Sequence, residues 1–157
     1  SGFKLTYPVY LDSEHCGPKA SGRADKISKA RRTQYGLTFC KALKDYGFKP
    51  GLYCSESWYT DEIDGQAFKK AGYGIWIAKY SKNKPKVSGY DGWQYTDAAA
   101  VSGISGKVDL SHFYTDYAVA DYRAAVQKRF GFDNNTMKFL DSHSYPEALY
   151  QKLATKK

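Results

Sequence analysis

The sequence holds few cysteines and spaces them widely. Cys16, Cys40 and Cys54 are the three in 157 residues. No Cys-x-x-Cys pair occurs, which argues against a structural zinc site. Their odd number leaves free thiols, or one disulfide between two of them. Long apolar runs are missing too, and none approaches the roughly 20 residues needed to cross a bilayer. Ser55 and Ser57 lack a Gly-x-Ser-x-Gly setting, so serine-hydrolase chemistry is not expected. Neither a Gly-x-Gly-x-x-Gly nor a P-loop pattern is present, which argues against a nucleotide cofactor. His112 and His143 have no metal-ligand spacing to an acid. No cofactor and no metal is therefore expected. Internal repeats, low-complexity runs, a signal peptide and lipidation motifs are all absent. Ser1 stands first where an initiator Met would, so the expectation is a chain trimmed from, or lying within, a longer one.

What is present reads as globular. Apolar residues make up 42% and charged residues 25%, the composition of a folded domain with one core. Lys and Arg number 24 against 16 Asp and Glu, a net charge of +8. Such a balance favours a polyanionic partner: nucleic acid, acidic lipid or an acidic cell-wall polymer. Nucleic acid ranks last, because no nucleic-acid-binding module pattern accompanies the charge. Lys26, Lys29, Arg31 and Arg32 form a basic run, read as a solvated helix face that could also meet wall polymer. Aromatics are abundant, with 15 Tyr, 8 Phe and 3 Trp.

Five short strands follow from alternation and turn residues: Tyr7 to Glu14, Leu52 to Ser55, Ile75 to Tyr80, Gly92 to Thr96 and Lys107 to Leu110. A Gly/Pro/Ser loop is expected from His15 to Gly22, and a helix from Ala24 to Tyr46. A short helical segment is expected near Ile63 to Ala71, and another helix over Tyr114 to Arg129. The tail differs in character. Asp133 opens a helix toward Asp141, and Pro146 sits in the first turn of a last one. Strands that come singly, with helices between the early ones, predict an α/β fold with parallel pairing. The domain division expected is residues 1–129, with residues 130–157 as a small helical extension.

Asp12 and Glu14 carry the chemistry. Alternation puts them on one face of the first strand together with Tyr10, with Cα atoms about 6.6 Å apart. Two carboxylates so close do not ionise independently: one keeps its proton and serves as an acid, while the other stabilises developing positive charge. Glycosidic bond cleavage needs that division of labour. The spacing lies between the values for retaining and inverting enzymes, and it also suits substrate-assisted cleavage. Two solvated acids at a strand end would share the same spacing. Tyr53, Trp58, Trp76, Tyr80, Trp93 and Tyr95 sit on or just after the strands. If the strands are parallel, their C-terminal ends gather at one face, where α/β folds build their sites. Each of these rings could equally be core.

Five motifs occur in order: Tyr-Pro-Val-Tyr-Leu-Asp-Ser-Glu (7–14), Gly-Leu-Tyr-Cys-Ser-Glu-Ser-Trp (51–58), Gly-Ile-Trp-Ile-Ala-Lys-Tyr (74–80), Gly-Trp-Gln-Tyr-Thr (92–96) and Gly-Ile-Ser-Gly-Lys-Val-Asp-Leu (103–110). Together they resemble the second half of a family 25 glycoside hydrolase, the lysozymes or N-acetylmuramidases of bacteria, their phages and some fungi. The resemblance implies a TIM-like (β/α)5(β)3 barrel, of which this chain would hold about strands 4–8 followed by a C-terminal helical appendage. It implies hydrolysis of the β-1,4 bond between N-acetylmuramic acid and N-acetylglucosamine in peptidoglycan. Glu14 falls on the family's general acid, Asp12 on its assisting acid and Asp109 on the acid of its last strand. Tyr53, Trp76, Tyr80, Trp93 and Tyr95 fall near the sugar cleft. With Tyr10 and Trp58 they complete the set of expected substrate contacts.

The family's opening strand, with its own Asp, and the two β/α units after it do not occur here. The expected partners are accordingly peptidoglycan strands and either a complementary N-terminal half or a second copy of the chain, with no nucleic acid and no membrane span. Expected localisation is the cell wall or the extracellular space, by secretion or phage release. The competing function is a non-catalytic fragment that binds cell-wall glycan.

Overall fold

The computed structural model describes residues 5–17 and 21–155. The loop expected between His15 and Gly22 lies partly outside those residues. The chain divides into two compact units: Pro8–Tyr114, and the residues after Tyr114 together with those before Pro8.

In the first unit the elements run β1 (Val9–Asp12), α1 (Lys29–Asp45), β2 (Pro50–Ser55), α2 (Glu56–Asp61), α3 (Gly65–Lys70), β3 (Gly74–Ala78), β4 (Gly92–Ala99) and β5 (Val108–Phe113). The strands form one mixed sheet in the order β1-β2-β3-β4-β5. The first three pairings are parallel. The fourth is antiparallel, so the parallel pairing expected holds for the early strands and not for the last. The reason is connection length. Eight residues join β4 to β5, and a parallel return needs a crossover of a dozen or more. The fold is thus mixed α/β with a curled five-stranded sheet, consistent with part of a barrel.

Helix boundaries follow their caps. α1 starts at Lys29, not Ala24, because the Ser28 hydroxyl accepts from the Arg31 amide and sets the first turn there. α2 falls where the sequence pattern predicts no element. It is a single short helix capped by Ser55, whose hydroxyl accepts from the Trp58 amide at 3.2 Å. Six residues are too few for periodicity to reveal. Arg32, expected on a solvated face, is 5% exposed. Its guanidinium donates to the Glu62 carboxylate at 2.9 Å and to the Ala24 carbonyl at 2.9 Å.

Alternation sorts the strand side chains by face. Leu52, Cys54, Ile75 and Ile77 point toward the helices and bury against Cys40, Ile63 and Phe68, with Leu11 and Leu37 at the margin. Burying each large aliphatic contributes about 1.5–3 kcal/mol. The cysteines among the described residues are free. Burial pushes the Cys40 and Cys54 thiols up to about 11 and about 12, so both behave as small apolar groups.

The second unit packs α4 (Tyr117–Phe130), α5 (Asn134–Asp141) and α6 (Pro146–Thr155) around Val126, Met137 and Tyr150. α4, grouped with the barrel part by sequence, clusters here with the tail helices. Asp116 and Asp133 cap α4 and α5. Asp141 joins the helices: it takes two bonds from Arg123, each 2.9 Å, and one from the Tyr150 hydroxyl at 2.6 Å.

Gly36 shows how closely α1 lies on the sheet. A Cβ there would stand 2.6 Å from the Phe68 ring and 2.8 Å from Leu11 Cδ2. Gly36→Ala gains about 1 kcal/mol of helix propensity and costs about 1–3 kcal/mol of overpacking. Net destabilisation of about 1 kcal/mol is expected, read from the midpoint of urea unfolding.

Candidate active site

The site is built where the parallel strands end. Asp12 is the last residue of β1, paired with Tyr53 of β2. The extended run goes one residue further, since the Ser13 amide donates to the Tyr53 carbonyl at 2.9 Å. Ser13 is buried, and Glu14 follows it on the solvent side. Asp109 enters from β5. Burial, then the Asp12 and Asp109 carboxylates, push the Glu14 carboxyl above its ordinary range. The three acids therefore share one electrostatic site. Burial alone raises Asp12.

Gln94 links these parts, and the sequence reading passed over it. It is 4% exposed on β4. Its carboxamide oxygen accepts from the Tyr53 hydroxyl at 2.7 Å and the Tyr80 hydroxyl at 2.9 Å. Its nitrogen donates to Asp109 Oδ2 at 3.1 Å. One side chain thus spans the sheet from β2 to β5. Alternation between Trp93 and Tyr95 was the signal for it, but aromatic content drew attention to its neighbours. Burial first, then Tyr80 and the two nearest acids, push the Tyr53 phenol far up, so it remains a donor.

A cavity of about 420 Å³ opens beside Glu14, lined by Tyr53, Ser55, Lys79 and Tyr80 among others. In its wall the Lys79 ammonium meets the Glu56 carboxylate at 2.8 Å, and the Lys86 amide also donates to Glu56. Burial opposes the Glu56 charge, but these two donors outweigh it and hold the carboxyl below its usual range. A second cavity, about 510 Å³, lies against Glu14 as well, lined by Cys16, Gly22, Asp25 and Tyr35. Among the described residues no group of three or more His, Cys, Asp or Glu could hold a metal ion.

The expected aromatic contacts divide into two groups. Tyr10, Tyr53 and Trp76 share the acid face: Trp76 lies 5.4 Å from Tyr10 and 4.7 Å from Tyr53, with Phe113 at 5.4 Å. Tyr80 joins them through Gln94. Trp93 and Tyr95 do not. Trp93 is paired with Ile77 and His112, and ladder partners share a face. It therefore points to the helix side, where its indole donates to the Lys79 carbonyl at 2.9 Å. Tyr95 stacks on His112 at 4.6 Å on that side. Trp58 is 6% exposed, packed under the Arg32 guanidinium at 4.6 Å and edge-on to His15 at 4.8 Å.

Paired acids, a raised carboxyl and an aromatic-lined face are the components of a glycan-cleaving site. The model of glycosyl hydrolases family 25 matches residues 3–104. The autolytic lysozyme of Clostridium acetobutylicum is 33% identical over 76 residues, which cover 48% of this chain and 22% of the relative. The lysozyme of Lactococcus phage mv1 is 37% identical over 73 residues, covering 46% and 34%. The chain thus spans about a third or less of the length of these curated relatives. Among solved structures, the bacterial lysozyme from Streptomyces coelicolor superposes with a TM-score of 0.56 at 27% identity, covering 68% of this chain and 51% of that one. The CTP1L endolysin shares the fold at 24% identity and a TM-score of 0.52, covering 83% and 50%. By the extent of the family match and the order of its motifs, this chain belongs to glycosyl hydrolases family 25.

Proposed function

We propose that the chain carries the proton-donating part of a peptidoglycan hydrolase, an N-acetylmuramidase that cuts the β-1,4 bond between N-acetylmuramic acid and N-acetylglucosamine. The observation that carries this reading is Glu14, whose carboxyl is raised by burial and by Asp12 and Asp109 together. Glu14 donates its proton to the glycosidic oxygen as the bond to the anomeric carbon breaks. Asp12, ionised, supports the positive charge that develops there or orients the acetamido group of the sugar being cleaved. Asp109, held by Gln94, keeps a further negative charge close by. Tyr10, Tyr53, Trp76 and Tyr80 offer flat and hydrogen-bonding surfaces to the sugar rings. The relatives are lysozymes, one of them phage-encoded and one autolytic, which supports action at the cell wall. The (β/α)5(β)3 barrel is the architecture this reading requires, with β1–β5 standing for about its fourth to eighth strands.

A second reading rests on the sheet itself. Among the described residues β1 pairs only with β2 and β5 only with β4. An open sheet of this kind fits a fragment that binds wall glycan without cutting it, or one that works once a complementary half or a second copy closes the edge.

Reducing-end release from purified peptidoglycan separates the readings. The chain is expected to release reducing ends, and Glu14→Gln to lower the rate at least about a hundredfold while pelleting with the glycan as before. Release by neither form, with binding kept by both, favours the second reading. A titration checks the electrostatics. Asp109 disfavours ionisation of Glu14, so Asp109→Asn removes that effect. The ¹³C-detected midpoint of Glu14 then moves to lower pH, toward 4.5, and the alkaline limb of activity moves with it.

A further inference from the structure

Glu14 lies two residues past the end of β1, and side chains outside regular structure are placed loosely unless something fixes them. On its N-terminal side it is fixed by the Ser13–Tyr53 bond. On its C-terminal side the next two residues converge on one carboxylate that the family motifs do not include. His15 Nδ1 bonds to Asp25 Oδ1 at 2.8 Å. The Cys16 amide donates to Asp25 Oδ2 at 3.2 Å, and the Gly22 amide donates to the same oxygen at 2.7 Å. The Asp25 side chain is 2% exposed, and the three donors hold its carboxyl below the usual range, the His15 bond most of all.

The carboxylate is itself anchored. Its neighbour Ala24 gives its carbonyl to the buried Arg32 of α1. Arg32 lies over Trp58 of α2, and Trp58 meets the His15 ring edge-on. The chain of contacts runs from the rigid helices through Trp58 and Arg32 to His15, Asp25 and the residues that follow Glu14. Gly22 fits only as glycine: a Cβ would stand 2.4 Å from Cys16 Cβ and 2.8 Å from Asp25 Oδ2.

We propose that Asp25 is a positioning residue for Glu14: by clamping His15, Cys16 and Gly22 it fixes the proton donor between the two cavities that flank it. The inference rests on Glu14 as the proton donor. Asp25 acts through Glu14: its carboxylate oxygens are taken up by His15, Cys16 and Gly22. Its work is geometric, because a reacting group displaced by about 1 Å can lose on the order of a hundredfold in rate. The clamp also gives Trp58 a role. The motif that contains it is read as sugar-contacting, whereas the ring supports the loop from behind.

The test compares Asp25→Ala with Asp25→Asn, both checked for fold by hydrogen exchange in β2 and β3. In Asp25→Ala, kcat for reducing-end release is expected to fall about tenfold or more with KM little changed. The Glu14 midpoint, followed by ¹³C without substrate, moves down toward 4.5 as the donor drifts from Asp12 and Asp109. Asp25→Asn restores both. Its oxygen still accepts from the two amides, and its nitrogen can donate to His15 Nδ1. Parent-like values in Asp25→Ala overturn the proposal, as does an Asp25→Asn protein as impaired as the alanine variant. Should Asp25→Ala fail to fold, His15→Ala carries the test: a smaller downward move of Glu14 supports the clamp and an unmoved midpoint overturns it. Absence of turnover in the parent chain counts against the hydrolase reading alone, since the Glu14 titration still decides the clamp.

Discussion

The site depends on a single constraint, the two-fold alternation of strands that bury one face against α1–α3. Once Leu11, Leu52, Ile75 and Ile77 are committed to the helix side, their neighbours have no choice. Tyr10, Asp12, Tyr53, Trp76 and Gln94 go to the opposite face, and parallel register sets Asp12 beside Tyr53 and Tyr53 beside Trp76. A one-residue slip of β1 would bury Asp12 and expose Leu11, at a cost of several kcal/mol for an unpaired buried charge. The core and the acids therefore specify each other.

Parallel pairing adds direction to alternation. Because β1, β2 and β3 run the same way, Glu14, Ser55 and Tyr80 all leave the sheet at one end. The turn of β5 into an antiparallel partner brings Asp109 to that end from the opposite chain direction. Gln94 closes the gap, and its carboxamide suits the position: one end accepts from two phenols while the other donates to a carboxylate. A Glu there would set like charge against Asp109, and a Met would leave the Tyr53 hydroxyl half-buried without a partner. β1, paired among the described residues with β2 alone, holds Asp12 at an edge, with Glu14 two residues on. Their placement rests on the β2 ladder on one side of Glu14 and on the Asp25 contacts on the other.

Much of this was legible in the sequence, and the gaps have physical causes. All five strands and the Asp12–Glu14 pair follow from alternation and turn residues, because strand faces are read over two or three residues. Length defeated the reading of α2, whose six residues leave only the Ser55 cap as a signal. Arg32 reads as solvated because the partners that let it be buried, Glu62 and Ala24, are 30 and 8 positions away. Trp93 shows a different limit: aromatic identity does not encode a face, and only the register of the neighbouring strands assigns one. Trp58 lies on α2, so its burial goes with the helix the sequence does not reveal. Asp25 is ordinary in sequence, an acid in a polar loop, and gains its meaning when residues 15, 16 and 22 come together around it.

Charge acts on two length scales here. The net charge of +8 acts over the whole surface and draws polyanions toward it, within a Debye length of about 8 Å at physiological salt. The cleft has the opposite local sign. Lys79 lines it but is engaged by Glu56, which leaves Asp12, Glu14 and Asp109 facing one another. Burial first, and then their repulsion, keep the proton on Glu14 to higher pH, and the repulsion works best in a partly dry cleft, where charges interact several-fold more strongly than in bulk water. The same three acids repel an anionic segment that reaches the cleft. A long anionic polymer attracted by the basic surface would thus settle with an uncharged stretch over Glu14. In a polymer of neutral sugars with charged branches, that stretch is the sugar backbone, where a proton donor is of use.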